Sequence, residues 1–226
     1  PKLTNLSDSI SFSEIAEQLN RLNLSIYTPS LYIFDSVKED YEINMEGSGI
    51  SIDGREKGLR KLMATNLLKR LESSVNSFRL TLQRIQEYID ETLNTIDSNG
   101  RSGSVDVTEF TDDLDSADSD NDPFVGRNSK INLRDISPEH DSKLQMLIQD
   151  LKHKFEHPIN PGNKKVIIFT AFADTANYLY DQLAARIKAD CGLNVALITG
   201  STDGKCTIPK FPMSFNNVLT YFSPVS

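Results

Sequence analysis

Three residues that follow apolar runs offer the best-placed binding chemistry in this sequence. One run, residues 166–169, leads into Thr170, and a second run, residues 195–198, leads into Thr199 and Gly200. Threonine hydroxyls and free backbone amides are suited to hydrogen-bonding phosphate oxygens, which hold a ligand in place without reading its sequence. These three residues are therefore candidate contacts for an anionic ligand.

The loop after the second run has some residues of a phosphate-binding loop but not their spacing. One residue too few separates Gly200 from Gly204, and Cys206 stands where a serine or threonine should bind magnesium. Pro209 and Pro212 follow where a helix should begin. We do not interpret this loop as a nucleotide site.

Two further patterns match metal sites only in part. His153 and His157 are four residues apart, but Pro158 follows them and no third ligand is evident. Their position favours histidines at the end of a helix, stabilised by its dipole. The acidic run 118–122 lacks the glycine and the glutamate that a calcium loop requires. We predict no metal site and no catalytic residue.

The elements that must position Thr170 and Gly200 form a strand–helix–strand unit. Residues 166–169 are continuously apolar and β-branched, as in a parallel strand covered on both faces, and helical spacing begins at Asp174. In such units ligands bind beyond the carboxyl ends of the strands. The pattern predicts an α/β fold with a parallel sheet, preceded by a helix that opens at Ser137 and Pro138.

A long helical region precedes this unit. Apolar residues recur at threes and fours from 55 to 96, and one uninterrupted helix over that span would be roughly 60 Å long. We expect a break at Asn66 or at the Glu72–Ser73–Ser74 step. A shorter helix is predicted over 12–24, a loop over 41–53, and residues 31–35 fit either a strand or a helical turn.

Two cations and a polar triplet interrupt the apolar repeat over residues 55–96. Lys69 and Arg70 are followed by Glu72, Ser73 and Ser74. One interpretation is a solvated face on which Arg70 pairs with a nearby acid. The other is a functional role, and it depends on a family resemblance.

Three stretches carry that resemblance. They read NLLKRLESSVNSF from Asn66, DSKL from Asp141 with KKVIIFTAFADTANYLYDQL and NVALITG after it, and NVLTYFSP from Asn217. The stretch from Asp141 to Gly200 resembles the start of the second RecA-like lobe of superfamily-two helicases of the Swi/Snf-type bacterial branch. The first is similar to a helical signature that precedes this lobe, and the last resembles the segment before the fifth motif. The first two cover roughly a third of the chain.

The resemblance implies part of an ATP-dependent helicase or duplex-DNA translocase. It implies that Thr170 lies in the fourth motif and that Thr199 and Gly200 lie near the nucleic-acid backbone. It further implies that Lys69 and Arg70 contact DNA or RNA, and that Glu72, Ser73 and Ser74 position the two lobes.

The departures from the family define which parts the chain supplies. We find no phosphate loop, acidic magnesium-binding motif or second-lobe arginine in it. ATP and magnesium would therefore belong to the parent protein, together with the first helicase lobe and the rest of the second. The expectation is an internal fragment, with residues 1–98 mainly helical, 99–129 an acidic flexible linker and 130–226 a partial lobe.

Composition sets broader limits. The net charge is −8, but eight acids lie between 106 and 122, so the remainder is nearly neutral and would bind DNA weakly by itself. The two cysteines lack metal spacing, and no run spans a membrane, which predicts a cytoplasmic protein. The alternative is a scaffold that forms a homodimer through residues 59–96, with the strand–helix–strand unit binding a small anion.

Overall fold

Helices dominate the part of the chain that the computed structural model describes, residues 12–21, 52–99, 138–200 and 204–223. The predictions for 31–35, most of the 41–53 loop and the acidic linker after Asn99 lie outside these residues. The elements, in chain order, are α1 (Phe12–Arg21), α2 (Ile52–Ser73), α3 (Val75–Asn99), a 3-10 turn (Pro138–His140), α4 (Ser142–Glu156), α5 (Ala173–Cys191), β1 (Ala196–Leu197), β2 (Lys205–Cys206) and α6 (Phe215–Phe222).

The described residues divide into two compact units. One contains residues 70–90, 138–200 and 204–223, and it holds all of α4, α5, α6 and the strands. The other contains residues 12–21, 52–69 and 91–99. The predicted domain boundaries at 98 and 129 remain predictions. No helix in the described ranges combines the length and apolar character that crossing a membrane requires.

The long helix is interrupted at Ser74, which confirms the second of the two predicted break points. Ser74 lies between α2 and α3 and is not helical. Its side-chain oxygen accepts a hydrogen bond from the backbone N–H of Ser77 at 3.0 Å, as an N-cap of α3 does. Hydrogen bonds from the Ser74 N–H to the Arg70 carbonyl and from the Phe78 N–H to the Ser74 carbonyl continue across the break.

The side chains buried around this break are polar, although the apolar repeat over residues 55–96 predicted an apolar face. The buried positions recur at threes and fours and carry small hydroxyls and one guanidinium, whereas the neighbouring apolar positions are only half-buried. The most buried ridge is therefore rotated by one residue from the predicted apolar stripe. These polar buried positions are Arg70, Ser74, Ser77 and Thr81, and the next buried position, Ile85, is apolar again.

The apolar core of the first unit lies between α4 and α5. Four leucine, isoleucine and phenylalanine side chains of α4 pack against α5, where Leu183 is 3% exposed. Leu147, Tyr178, Leu179, Ile187, Cys191 and Leu193 surround them. Gly192 ends α5 in the left-handed conformation (φ 67°), which favours glycine because it has no Cβ.

Helix α4 begins later than predicted, and with a different cap. Its N-cap is Asp141, whose carboxylate accepts the Leu144 N–H, while Pro138 lies in the preceding 3-10 turn. An aspartate accepts this bond as well as a serine does, so the turn moves the helix start past Ser137 and Pro138.

The predicted parallel sheet is not formed by the described residues. Strand β1 falls inside the predicted strand 195–198, but it pairs antiparallel with β2, which follows it along the chain. Ala196 lies opposite Cys206 and Leu197 opposite Lys205. A hairpin between neighbouring segments closes a short loop, whereas a parallel pair needs a longer crossover. Among the described residues the fold is thus mainly helical with a small hairpin.

The prediction of a buried strand at 166–169 was wrong for this structure. Residues 163–170 have no regular secondary structure, and Ile167 and Phe169 are 56% and 89% exposed. A parallel strand needs hydrogen-bonding neighbours and cover on both faces. Burying the apolar side chains of residues 166–169 would be favourable, but the described residues do not cover them.

Candidate functional site

The described structure brings the first two resembling stretches together around the break between α2 and α3. We call this place the junction and define it by Arg70, Ser73 and Ser74 on one side and Asp174 and Thr175 on the other. All five residues belong to the first unit. The junction is built from side chains at an α2 C-terminus and an α5 N-terminus.

A carboxylate shared by two arginines forms the charged half of the junction. Asp174 Oδ2 lies 3.3 Å from Arg70 Nη1 and 2.9 Å from Arg84 Nη1, and Asp174 Oδ1 accepts from Arg84 Nη2 at 3.1 Å. The Arg84 pair is thus bidentate, the geometry in which arginine binds carboxylates most strongly. Asp174 also lies in the first turn of α5, where the helix dipole favours a negative charge.

Arg70 is deeply buried within this half. Its side chain is 2% exposed, compared with 13% for Asp174 and 20% for Arg84. Its guanidinium carbon lies 4.6 Å from the centre of the Phe172 ring, so Arg70 also makes a cation–π contact. The guanidinium is therefore held inside the protein by an ion pair and a ring contact.

A cluster of hydroxyls forms the neutral half. The side-chain oxygens of Ser73 and Ser74 lie 2.8 and 3.2 Å from Thr175 Oγ1, and Thr175 is 4% exposed. Ser74 Oγ already accepts the Ser77 N–H, so its own proton is available for Thr175. The two serines thus bind α5 directly, next to the Asp174 ion pairs.

A lysine and a tyrosine from the α4 region extend the junction. Lys143 Nζ donates to the carbonyl of Glu72, near the end of α2, where a cation is favoured by the dipole. Tyr178 of α5 donates its phenol proton to Asp141 Oδ2 at 2.9 Å. Burial of the phenol, and then this bond, raise the pKa of Tyr178 above its ordinary value.

The other predicted contacts lie elsewhere. Thr170 is half-buried and its hydroxyl donates to the Phe172 carbonyl at 2.9 Å. Thr199 is half-buried and Gly200 exposed, after an antiparallel strand. Lys69 is exposed on α2. The parallel strands that were expected to bring Thr170 and Thr199 to one edge are not formed here.

The loop with phosphate-loop features has a packing role. A Cβ at Gly204 would lie 2.8 Å from the Leu197 carbonyl oxygen, so glycine permits the close approach of the two strands. Lys205 lies 3.6 Å from Asp181 and 5.8 Å from the Tyr180 ring. Among the described residues of this loop, Gly204 and Lys205 therefore contact β1 and α5.

Sequence reasoning missed Asp174 and Thr175 as junction residues, and it missed Arg84 and Phe172, which contact Asp174 and Arg70. Arg84 lies fourteen residues after Arg70, a spacing of nearly four helical turns that places both on similar sides of a helix. The repeat of Arg70, Ser74, Ser77 and Thr81 was the available signal, because small polar residues at helical spacing indicate a face packed closely against another element. Comparison of the chain with family models, with curated proteins and with solved structures found no match.

Proposed function

We propose that this chain is part of a superfamily-two ATP-dependent helicase or duplex-DNA translocase, of the Swi/Snf-type bacterial branch. One observation carries the proposal: stretches far apart in sequence, picked out because they resemble that family, meet through specific polar contacts. Arg70 pairs with Asp174, Ser73 and Ser74 bind Thr175, and Lys143 binds the Glu72 carbonyl. These contacts are compatible with a helical element packed against the lobe that follows it in the chain.

In this proposal the junction fastens the helical element to the second lobe. Ser73 and Ser74 supply hydroxyl contacts, Glu72 a backbone carbonyl, and Arg70 a buried guanidinium. A helix held in this way can transmit movement between two lobes, because packed elements move as rigid bodies.

The nucleic-acid contacts of the proposal are Thr170, Thr199, Gly200 and Lys69. Residues 166–169 would form a strand of a RecA-like parallel sheet once further strands pair with them. The support for this is their apolar sequence, which is typical of a parallel strand covered on both faces.

ATP and magnesium would act on parts of the parent protein outside this chain. Phosphoryl transfer requires cations positioned around the phosphates, and the sequence contains no phosphate loop that would position them. The chain by itself would therefore not hydrolyse ATP. The partners would be DNA or RNA and the missing lobe segments, in the cytoplasm.

The test is ATP hydrolysis with and without duplex DNA, comparing this chain with a version extended at both ends in its reading frame. Hydrolysis only by the extended protein, stimulated by DNA, would support the proposal. Thr170→Ala should then raise the DNA concentration needed for half-maximal stimulation. An inert extended protein, or a reading frame without a phosphate loop, would overturn it.

The dimerising scaffold remains the alternative, and solution stoichiometry distinguishes it. A stable symmetric dimer through residues 59–96 would favour the scaffold over the motor. Sedimentation equilibrium over a range of concentrations measures this directly.

A further inference from the structure

Two histidines lie one turn apart at the C-terminal end of α4. His153 belongs to the last turn of the helix, and His157 is its C-cap. The backbone N–H of His157 donates to the His153 carbonyl at 2.8 Å, so the helical hydrogen bond that joins the two residues is formed. Residues four apart in a helix lie on the same face, one above the other. We call His153 and His157 the histidine pair.

The two imidazole rings lie close together and are open to solvent. Their centroids are 5.2 Å apart, their planes are tilted by 54°, and both side chains are exposed. No described residue forms a hydrogen bond with either ring. Two imidazole nitrogens that bind one ion at ~2.1 Å, with a right angle or a tetrahedral angle between the bonds, place their ring centroids roughly 4.5–5.2 Å apart. The observed separation therefore allows both rings to bind the same ion.

The turn that carries the histidine pair is held in place by the core of the protein. Leu151 and Phe155, on the opposite side of the same turns, are 6% and 8% exposed and pack against α5. Pro158 follows the pair, and its ring fixes its own backbone φ. Because these residues already order the backbone, an ion that binds both rings has less conformational entropy to overcome than at a loose helix end.

The charges around the helix end are nearly balanced. Lys152 and Glu156 are both exposed and lie four residues apart, so their opposite charges offset each other. Lys154 is half-buried and is the remaining charged side chain of this turn. The C-terminal end of a helix carries a partial negative charge, which favours a cation there. A divalent ion at the histidine pair thus meets one uncompensated lysine and an attractive dipole.

We propose that the histidine pair binds a divalent transition-metal ion of the nickel, copper and zinc class. Neutral imidazole is a preferred ligand of these ions, whereas magnesium and calcium take oxygen ligands. Within the described ranges no group of three or more histidine, cysteine, aspartate or glutamate side chains could hold a metal ion. Water therefore completes the coordination, and the ion links one helical turn instead of filling a closed structural site.

This proposal revises the sequence expectation of no metal site. That expectation rested on the missing third ligand, and the spacing of four residues did not show how far apart the two rings lie. The ring separation of 5.2 Å supplies this information. The proposed site is independent of the proposed helicase function.

The test uses the third histidine of the chain as its matched control. His153→Gln and His157→Gln each remove one proposed ligand, and His140→Gln removes the remaining imidazole of the sequence. Isothermal titration calorimetry with Ni²⁺, with the cysteines kept reduced, measures the Kd of each variant. Proton NMR follows the imidazole C–H signals, because paramagnetic Ni²⁺ broadens signals close to it. Far-ultraviolet circular dichroism checks that each variant is folded.

We expect each substitution in the histidine pair to raise the Kd for Ni²⁺ by about tenfold or more, since loss of an outer-shell partner alone costs about 10–100-fold. His140→Gln should leave the Kd unchanged. Substoichiometric Ni²⁺ should broaden the signals that disappear in His153→Gln and in His157→Gln, and leave the His140 signals sharp.

Three outcomes would overturn the site: equal effects of all three substitutions, binding that survives the loss of either member of the pair, or no binding by the wild type. DNA-stimulated ATP hydrolysis by the extended protein does not depend on any of them, so the two proposals fail separately.

Discussion

At the scale of single residues, the junction depends on how a buried charge is compensated. Arg70 is one of the most buried side chains described, and Asp174 accepts from it and from Arg84. A buried ion pair adds little net stability over an apolar replacement, but loss of one partner leaves an isolated charge in a poorly solvated place. Asp174 is therefore the residue on which the junction depends most.

Asp174→Asn is expected to lower the free energy of unfolding by about 3 kcal/mol, because it removes the carboxylate that pairs with the buried Arg70 guanidinium and with Arg84. Urea denaturation measures the change. The control is Asp181→Asn, which loses an exposed pair with Lys205 and should cost less than about 1 kcal/mol. Adding Arg70→Met to Asp174→Asn should recover much of the loss; equal effects of the two aspartate changes would contradict the buried pair.

Two serines one turn apart should respond in opposite ways to the same substitution. Ser74→Ala removes the α3 cap and a bond to Thr175, and should cost about 1 kcal/mol. Ser77 Oγ is buried, and within the described residues it has no hydrogen-bond partner. Ser77→Ala should thus be neutral or slightly stabilising, since it removes a polar atom whose burial is not compensated. Thermal melting of both variants checks this, and a large loss in Ser77→Ala would show a partner for that hydroxyl.

At the scale of elements, α4 and α5 are joined by an apolar core and one polar link. Leu144, Ile148, Leu151 and Phe155 pack against α5 around Leu183. Asp141 links the same helices, because one oxygen caps α4 and the other accepts from Tyr178. The apolar core and the polar link thus hold the same two helices together.

The hydrogen bond from Tyr178 to Asp141 should contribute to the free energy of unfolding, and this contribution should be lost at high pH. The pKa of Tyr178 is raised on folding, first by burial and then by its bond to Asp141, so the folded state retains the phenol proton longer than the unfolded state. The contribution is complete below the ordinary tyrosine pKa of ~10 and disappears as the pH rises toward the folded value. Stability differences between wild type and Tyr178→Phe should be constant below pH ~10 and shrink above it.

Urea unfolding at a series of pH values measures that dependence. Tyr221→Phe is the control, because Tyr221 is 67% exposed and packs edge-on against Phe211 without a carboxylate partner among the described residues. If the stability difference between the wild type and Tyr178→Phe does not change above pH ~10, folding does not raise the pKa of Tyr178, and the proposed bond to Asp141 is contradicted.

At the scale of the whole molecule, the central question is whether residues 166–169 are covered. In the described structure Phe169 is 89% exposed, whereas Phe155 is 8% exposed in the α4–α5 core. In a parallel sheet covered on both faces, this run would be as buried as the core. The stability lost on truncating each phenylalanine therefore reports whether its position is buried.

Phe155→Ala should lower the free energy of unfolding by about 3 kcal/mol, since it leaves a cavity in the core. Phe169→Ala should change it by no more than about 0.5 kcal/mol, because an exposed ring loses little when truncated. Urea unfolding of this chain gives both values. Equal costs for the two would contradict the exposed run and favour the buried strand.

The sequence by itself determined the local features of this protein. Helical spacing located α1, α3 and α5 closely, and the polar step at Glu72–Ser73–Ser74 indicated the break, because capping and periodicity act between residues a few positions apart. The α4 start was missed by a few residues, since Asp141 and Ser137 are both acceptable caps.

Only the tertiary structure decided which residues meet. An apolar run at 166–169 is compatible with a strand, but whether it is paired depends on segments distant in sequence, as does the antiparallel partner of β1. Likewise, nothing in the spacing of Arg70 distinguishes a solvated cation from one paired with Asp174 more than a hundred residues later. Burial and ion pairing are properties of contacts between distant segments, so they are settled by packing rather than by local pattern.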